Sequence, residues 1–368
     1  MYPKKIQKET IDKTLETCRI LYNSFLAERK ETYEQEKRKI TTFEQINSLP
    51  TRKETNPFLG EVFSQILQDI ARRINKNFQA FFQRLKKNAE KAGYPRFKSF
   101  GRYNSFAYPQ HGFEIIQGQL RLSKIGFVNI KFHRELLGEI KTCSIIVKNG
   151  KYYAWFSSEV EPKPLPKTGK KVGIDLGLTS FLATSDRELK EAPKTYRKSE
   201  KELAKASRKV SRRVKRSKRR KKAVILLAKQ HEKVANQRKD LAHRLAKELV
   251  EKYDEIAYEK LAIKNMVKNR FLAKSINDAG WKLFQTILAY KVVETGKQGV
   301  EVNAKNTSQI CSECDKQREQ KLKLSQRKFT CSFCSYSDNR DINAARNILK
   351  RAEWAGSALQ GAVPIGAV

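Results

Sequence analysis

Acidic residues are scarce in this chain. Aspartate and glutamate together number 39 against 77 lysines and arginines, leaving a formal net charge of +38. Such an imbalance argues for a polyanionic partner, nucleic acid first, because each neutralised phosphate releases counterions. An anionic membrane surface is the competing partner. Long apolar runs are missing as well: no stretch approaches the roughly 20 apolar residues of a spanning helix, and no signal peptide opens the sequence. Cysteine is sparse, and four of the six cysteines fall within 24 positions. Without an export signal, that clustering reads as metal binding rather than disulfide formation. Glycine and proline are absent from Lys194 to Ala279, long enough for two or more long helices. No internal repeat is visible.

What is present changes texture along the 368 residues. From Ile11 to about Ala92 the apolar spacing is helical. Leu15, Cys18, Leu21, Tyr22 and Phe25 mark one helix, and Val62, Phe63, Ile66, Ile70, Ile74, Phe78 and Phe81 mark a second from about Gly60. Aromatics, Gly and Pro then punctuate 93–110, and short alternating runs follow. The Asn-Gly of "KNGK" at 148–151 predicts a hairpin, and 101–160 reads as a small antiparallel β domain. A proline-rich linker covers 161–171. "KKVGIDLGLTSFLATSD" reads as a buried strand, a tight turn and a second strand. "RKVSRRVKRSKRRKK", 208–222, carries 11 Lys or Arg in 15 residues. Flanking apolar positions keep helical spacing, so the tract is expected to be a basic helix laid against a phosphate backbone. A strand ending at Glu259, a helix over "WKLFQTILAYKVVETG" and a strand over "GVEVNAK" complete the pattern.

Two sets of residues carry chemistry. Cys311 and Cys314 face Cys331 and Cys334 across 16 intervening residues, the spacing of a closed, structural, four-thiolate zinc site. Knuckles of this kind often place glycine after the second cysteine, where the backbone turns with positive φ. Asp315 and Ser335 stand there, so a looser site is expected. The second set is acidic. Asp175 ends one apolar strand, Glu259 ends another, and Asp341 opens "DINAARNIL". Singly, each has an ordinary reading as a turn residue, a strand end or a helix N-cap. Together, at the edges of apolar elements in so basic a chain, three carboxylates call for cations. Two Mg²⁺ ions would suit phosphodiester hydrolysis. Asp338, three residues earlier, is the rival for the third place. "GIDLG" also suits the phosphate turn of actin-like and sugar-kinase-like ATPases, but no second Gly-rich phosphate loop or adenosine site accompanies it.

These residues resemble a known family. "VGIDLGLTSFLATSD", "KQHEKVANQRKDLAHRLAKELV", "IAYEKLAIKNMVKN", "NTSQICSECD" and "CSFCSYSDNRDINAARNI" occur in the order seen in TnpB, also called OrfB. These are transposon-encoded, RNA-guided DNA endonucleases taken to be ancestral to type V CRISPR effectors. The likeness covers most of 165–350 and is looser over 11–160, where "SQILQDIARRINKNFQAFF" and "YPRFKSFGRYNSFAYPQ" resemble recognition and wedge segments. It implies an α/β multidomain protein built on a RuvC-like nuclease of ribonuclease H fold, with Asp175, Glu259 and Asp341 as its carboxylates. The implied segments are a wedge remnant (1–10), a helical recognition domain (11–98), a β-barrel-like wedge (99–164) and the nuclease (165–305, with a basic helical part at 195–250). A zinc-ribbon target-binding domain (306–336), a last nuclease helix (337–352) and a flexible tail (353–368) follow.

The resemblance also implies a guide RNA, a double-stranded target beside a short transposon-adjacent motif, two catalytic Mg²⁺ and one structural Zn²⁺. A prokaryotic, nucleoid-associated cytoplasmic location, with no membrane partner, goes with it, and a monomer is favoured. Candidates for motif contact are Gln65, Gln68, Arg72 and Lys76 on the second helix, with Asn104 and Ser105 in the aromatic loop, since such side chains reach base edges. Arg212, Arg213, Arg216, Arg219 and Arg220 are the phosphate-contact candidates. Three departures stand out: the knuckle glycines, a short strand missing before Tyr2, and a proline absent from "EVNAKNTSQ". A nuclease-silent, RNA-guided repressor and a miniature type V CRISPR effector share most of these features.

Overall fold

The computed structural model describes residues 1–87, 92–162, 164–320, 322–323 and 325–358. The chain separates into two compact units, Met1–Glu161 and Pro162–Val368. No helix among the described residues is long and apolar enough to cross a membrane.

The first unit opens with helices α1 (Lys5–Glu36), α2 (Thr42–Asn47), α3 (Leu49–Thr55) and α4 (Ser64–Lys86). Strands β1 (Ser105–Tyr108), β2 (Phe113–Ile116), β3 (Gln119–Leu122), β4 (Gly126–Asn129), β5 (Glu139–Lys148) and β6 (Lys151–Glu159) follow. They form two three-stranded antiparallel sheets, β1-β5-β6 and β2-β3-β4. The β5–β6 hairpin turns on Asn149 (φ 52°) and Gly150 (φ 76°), the left-handed pair that an Asn-Gly turn supplies. Helices and strands are not separate bodies here. Phe25, Ile66 and Ile70 from the helices share one core with Phe106, Tyr108, Leu120 and Ile145 from the sheets. The strand expected to be missing before Tyr2 leaves a trace, because Tyr2 bridges Asn129 and donates its N–H to the Asn129 carbonyl at 2.7 Å.

The second unit contains β7 (Lys171–Asp175), β8 (Ser180–Thr184), β9 (Leu189–Glu191), α5 (Thr195–Ser211), α6 (Lys218–Lys252) and β10 (Glu255–Glu259). It continues with α7 (Ile263–Met266), α8 (Ala273–Ala279), α9 (Trp281–Glu294), β11 (Gln298–Val302), β12 (Lys328–Thr330), β13 (Ser337–Asn339) and α10 (Arg340–Ala358). Five strands form one sheet in the order β11-β10-β7-β8-β9. β11, β10 and β7 run parallel, while β8 and β9 are antiparallel neighbours.

Side chains alternate across a strand, and that alternation sorts the two faces of this sheet. Val172, Ile174, Ile256 and Tyr258 pack with Leu245 and Leu249 of α6 and Phe284 and Leu288 of α9. The opposite face, carrying Ala257 and Val302, packs with Ile348 and Ala352 of α10. Gly173 lies on that second face. A Cβ there would sit 2.0 Å from the Ala345 carbonyl oxygen and 2.7 Å from the Leu349 nitrogen. Only a residue without a side chain lets the α10 backbone come so near.

The basic tract departs from expectation. It is not one helix: α5 ends at Ser211 and α6 begins at Lys218, so its centre is the tip of a helical hairpin. The break needs no glycine or proline. Ser217 caps α6 by accepting from the Arg220 N–H at 3.1 Å, and Arg220 Nη1 donates to the carbonyls of Val210 and Arg213 at 2.7 and 3.1 Å. At the other end, α10 runs to Ala358 rather than giving way to a tail at 353, and residues 359–368 lie outside the described residues.

Replacing Gly173 with alanine pushes a methyl group into the α10 backbone and should lower stability by about 1–3 kcal/mol or more. Gly60→Ala, where a Cβ meets nothing within 4 Å, serves as the control. Thermal unfolding of the two variants checks this; equal melting temperatures would contradict the close approach.

Candidate functional site

The carboxylates stand on the α10 side of the sheet. Gly173 and Asp175 are two residues apart on β7, and Ala257 and Glu259 two apart on β10. Each acid therefore shares its face with the small residue under the helix. The β7–β10 pairing runs through Ile174↔Tyr258, so Asp175 and Glu259 leave adjacent parallel strands at the same end. Beyond Asp175 the chain turns at Gly177, where a Cβ would lie 2.7 Å from the Ser180 carbonyl oxygen and 3.9 Å from Asp341 Oδ2. Asp341, 7% exposed, comes from the first turn of α10. It is not the helix cap: Asn339 Oδ1 accepts from the Asp341 N–H at 2.8 Å, which leaves the Asp341 carboxylate for other work.

Electrostatics ties the three together. Burial, then the charges of Glu259 and Asp341, push Asp175 well above the usual carboxylate range, against the pull of Arg340 and the Leu176 N–H. Burial also raises Glu259, opposed by a hydrogen bond from Thr307 and by the charge of Arg351. Arg327 approaches Asp341 Oδ1 at 3.6 Å. A buried carboxylate whose charge is disfavoured by burial and by two neighbouring acids suits a hard divalent cation such as Mg²⁺.

Asp338 belongs elsewhere. It lies on β13 and not on the helix, so it shares no helical face with Asp341. Its Oδ2 accepts from Arg187 Nη2 and the Tyr336 hydroxyl, both at 2.9 Å. Burial opposes its ionisation, but the Asn339 N–H, Tyr336, Arg187 and Arg346 together hold it below the usual range.

The cysteine sulfurs of 311, 314, 331 and 334 all lie within 4.8 Å of one another, and among the described residues no carboxylate joins a comparably tight metal-type group. Cys311–Cys334 and Cys314–Cys331 are 3.7 and 3.6 Å apart. Tetrahedral zinc with Zn–S bonds of about 2.3 Å requires sulfurs about 3.8 Å apart, so the four thiols fit that ion. Desolvation works against the Cys331 thiolate, yet the N–H groups of Phe333 and Cys334 and the neighbouring thiols bring it down to about 6. Asp315 and Ser335 take the left-handed turn themselves, each at φ 57°. The missing glycines therefore do not open the knuckles.

Sequence reasoning missed the fastening between ribbon and helix. Asn343, fully buried, donates from Nδ2 to the Ile310 carbonyl at 2.8 Å and accepts the Ser312 N–H at 2.9 Å. Asn347 donates to the Thr307 and Ile310 carbonyls at 2.8 and 2.7 Å. Arg346 and Lys350 of α10 reach Glu313 and Asp315 at 3.3 and 3.1 Å. The one signal available was two asparagines, polar residues on an otherwise apolar helical face.

The nucleic-acid candidates divide. On α4, Arg72 and Lys76 are exposed and Gln68 is half-buried, while Gln65 Oε1 accepts from the His111 N–H at 3.2 Å. Asn104 is exposed, but Ser105 is engaged by Arg73 through its carbonyl at 2.9 Å and its hydroxyl at 3.3 Å. Arg212, Arg213, Arg216 and Arg219 are exposed at the hairpin tip, whereas Arg220 is occupied as a cap.

Known proteins and family models match this chain in sequence. Residues 155–270 match the OrfB_IS605 family model, described as "Probable transposase", and 281–348 match "Cas12f1-like, TNB domain". Residues 1–38 match a helix-turn-helix domain model, although here that segment is essentially the single helix α1. A relative from Streptomyces pristinaespiralis, "Putative RNA-guided DNA endonuclease", is 33% identical over 356 residues, covering 95% of this chain and 87% of its own. "Putative RNA-guided DNA endonuclease InsQ" of Escherichia coli (strain K12) is 30% identical, covering 90% of this chain and 86% of its own. The CRISPR-associated endodeoxyribonuclease Cas12f1 of Sulfoacidibacillus thermotolerans is 34% identical over 122 residues, 32% of this chain and 28% of its own. Matches of this extent place the protein among transposon-encoded proteins of the OrfB kind. The chain belongs to the TnpB (OrfB) family, which is related to type V effectors.

Two outcomes follow for the isolated protein. Asp175 has a folded-state pKa above its unfolded value, so its charge costs stability as pH rises from about 4 through the folded value. In EDTA, Asp175→Asn should melt above the parent at pH 7–8, with the gap closing toward pH 4; melting curves with no gap at any pH would contradict the crowding. Metal analysis should return one zinc per chain, and well under one for Cys331→Ser.

Proposed function

We propose that this chain is an RNA-guided DNA endonuclease. It would use a transposon-derived guide RNA to bind double-stranded DNA beside a short transposon-adjacent motif, and cut it at Asp175, Glu259 and Asp341. The observation that carries this reading is that Asp175 and Glu259 leave adjacent parallel strands at the same end, with Asp341 of α10 near enough for its charge to act on Asp175, in a chain of net charge +38. The order β11-β10-β7-β8-β9, with its central parallel strands and antiparallel β8, supports a RuvC-like nuclease of ribonuclease H fold. The names borne by the long relatives support the activity.

Each part of the chain has a role in this reading. Asp175 and Glu259, fixed on adjacent strands, and Asp341, fixed by α10, would hold the two cations. Magnesium bound there would supply charge neutralisation and an activated water. Arg212, Arg213, Arg216 and Arg219 bind phosphates at the hairpin tip. Gln68, Arg72 and Lys76, with Asn104, face the flanking motif, while base pairing with the guide reads sequence. The segments at 11–98 and 99–164 serve as recognition and wedge regions, and the zinc ribbon contacts the target.

The test is to express the protein with its flanking transposon sequence, sequence the bound RNA, and challenge the complex with plasmids carrying a guide-matched site beside randomised flanks. Cleavage should need Mg²⁺. Alanine at Asp175, Glu259 or Asp341 should lower it about 100- to 1000-fold, the scale for losing an electrostatic stabiliser. Asp338→Asn should keep the parental Mg²⁺ dependence. Absence of a discrete co-purified RNA would end the guided reading, and an Asp175→Ala variant that cuts like the parent would end the site assignment.

A further inference from the structure

Glu259 has a partner that the cleavage reading leaves unused. Thr307 lies in the turn between β11 and the first knuckle and is 4% exposed. Its hydroxyl donates to Glu259 Oε1. The alternative acceptor, the Ala304 carbonyl, is 3.4 Å away and makes the longer contact. The Thr307 carbonyl in turn accepts from Asn347 Nδ2 at 2.8 Å, and the same Nδ2 donates to the Ile310 carbonyl, one residue before the metal-type cysteine Cys311. One short turn thus touches a strand-end carboxylate through its hydroxyl and is stapled to α10 through its backbone.

We propose that Thr307 is a positioning residue for the Glu259 carboxylate, coupling its orientation to the ribbon turn and to α10. The inference rests on the nuclease reading and deepens it. A glutamate side chain has three torsions, and the backbone of Glu259 is already held by Gln285 Nε2 on its carbonyl at 3.0 Å. Among the described residues, Thr307 is the side chain that hydrogen-bonds the carboxylate itself. It occupies Oε1 and so restrains the rotation of the carboxylate, leaving Oε2 without a side-chain donor among the described residues. Partners of this kind orient metal-binding carboxylates, and their loss typically lowers metal affinity or activity roughly 10- to 100-fold.

Thr307→Val, nearly isosteric but without the hydroxyl, and Thr307→Ser, which keeps the hydroxyl and loses the methyl group, together isolate the hydroxyl. Two readouts are taken on the full-length, guide-loaded protein. The first is the Mg²⁺-dependent rise in melting temperature, referenced to Asp175→Asn, which retains only the share due to the RNA. The second is cleavage rate against Mg²⁺ concentration. Thr307→Val should raise the Mg²⁺ concentration for half-effect roughly 10- to 100-fold in both, with one zinc per chain retained. Thr307→Ser should stay within about threefold of the parent. A Val variant with the parental Mg²⁺ dependence overturns the proposal while leaving the nuclease reading standing. A Ser variant that falls as far as Val overturns it too, since the methyl group would then be what matters. A Val variant that loses zinc or fails to fold assigns the residue to structure and overturns it equally. A parent complex that binds guide and target but cuts at no Mg²⁺ concentration refutes the nuclease reading itself, and this inference with it.

Discussion

Everything at the candidate site depends on how closely α10 sits on β7. At Gly173 the helix backbone occupies the space a Cβ would need, 2.0 Å from the Ala345 carbonyl oxygen. Ala257 on the next strand keeps the same face low. The first turn of α10 is thereby brought down to the end of β7, and Asp341 reaches the turn at Gly177, where its charge acts on Asp175. Burial, and then the charges of Glu259 and Asp341, disfavour the ionised form of Asp175 there. Folding energy, supplied by burial of Ile348 and Ala352 against Val302 and Ala257, holds like charges together.

The ribbon extends this arrangement. β13 runs directly into α10, and Asn343 and Asn347 fasten the helix to the turn that precedes Cys311. Four sulfurs at zinc spacing would make that turn rigid. With zinc bound, the seven positions from Cys334 to Asp341 would act as one brace rather than two neighbouring motifs. Within it the two aspartates differ: Asp338 ties the ribbon to Arg187 and Arg346, and Asp341 lies in the first turn of α10, where its charge acts on Asp175.

Much of this was legible in the sequence, where local rules decide. The ends of β7 and β10, the Asn-Gly hairpin and the cysteine spacing follow from alternation, turn chemistry and ligand geometry. What was not legible depends on partners distant in sequence. The basic tract reads as helix by periodicity, but it turns because Arg220 satisfies the end of α5 while Ser217 starts α6. Ser105 and Gln65 look free in sequence and are occupied by Arg73 and the His111 N–H. The helical and β segments of the first unit differ in texture yet share a core, because periodicity reports which face is buried and not what covers it. Asp315 and Ser335 adopt the backbone of glycine, which composition alone argues against.

The central claim is that Asp175, Glu259 and Asp341 hold the cations. The most direct measurement is an anomalous-difference map from crystals of the guide-loaded protein soaked in Mn²⁺. Peaks between Asp175 and the carboxylates of Glu259 and Asp341, with none at Asp338, are the predicted result. Peaks confined to Asp338 or to the RNA, with the three carboxylates empty, would contradict the account.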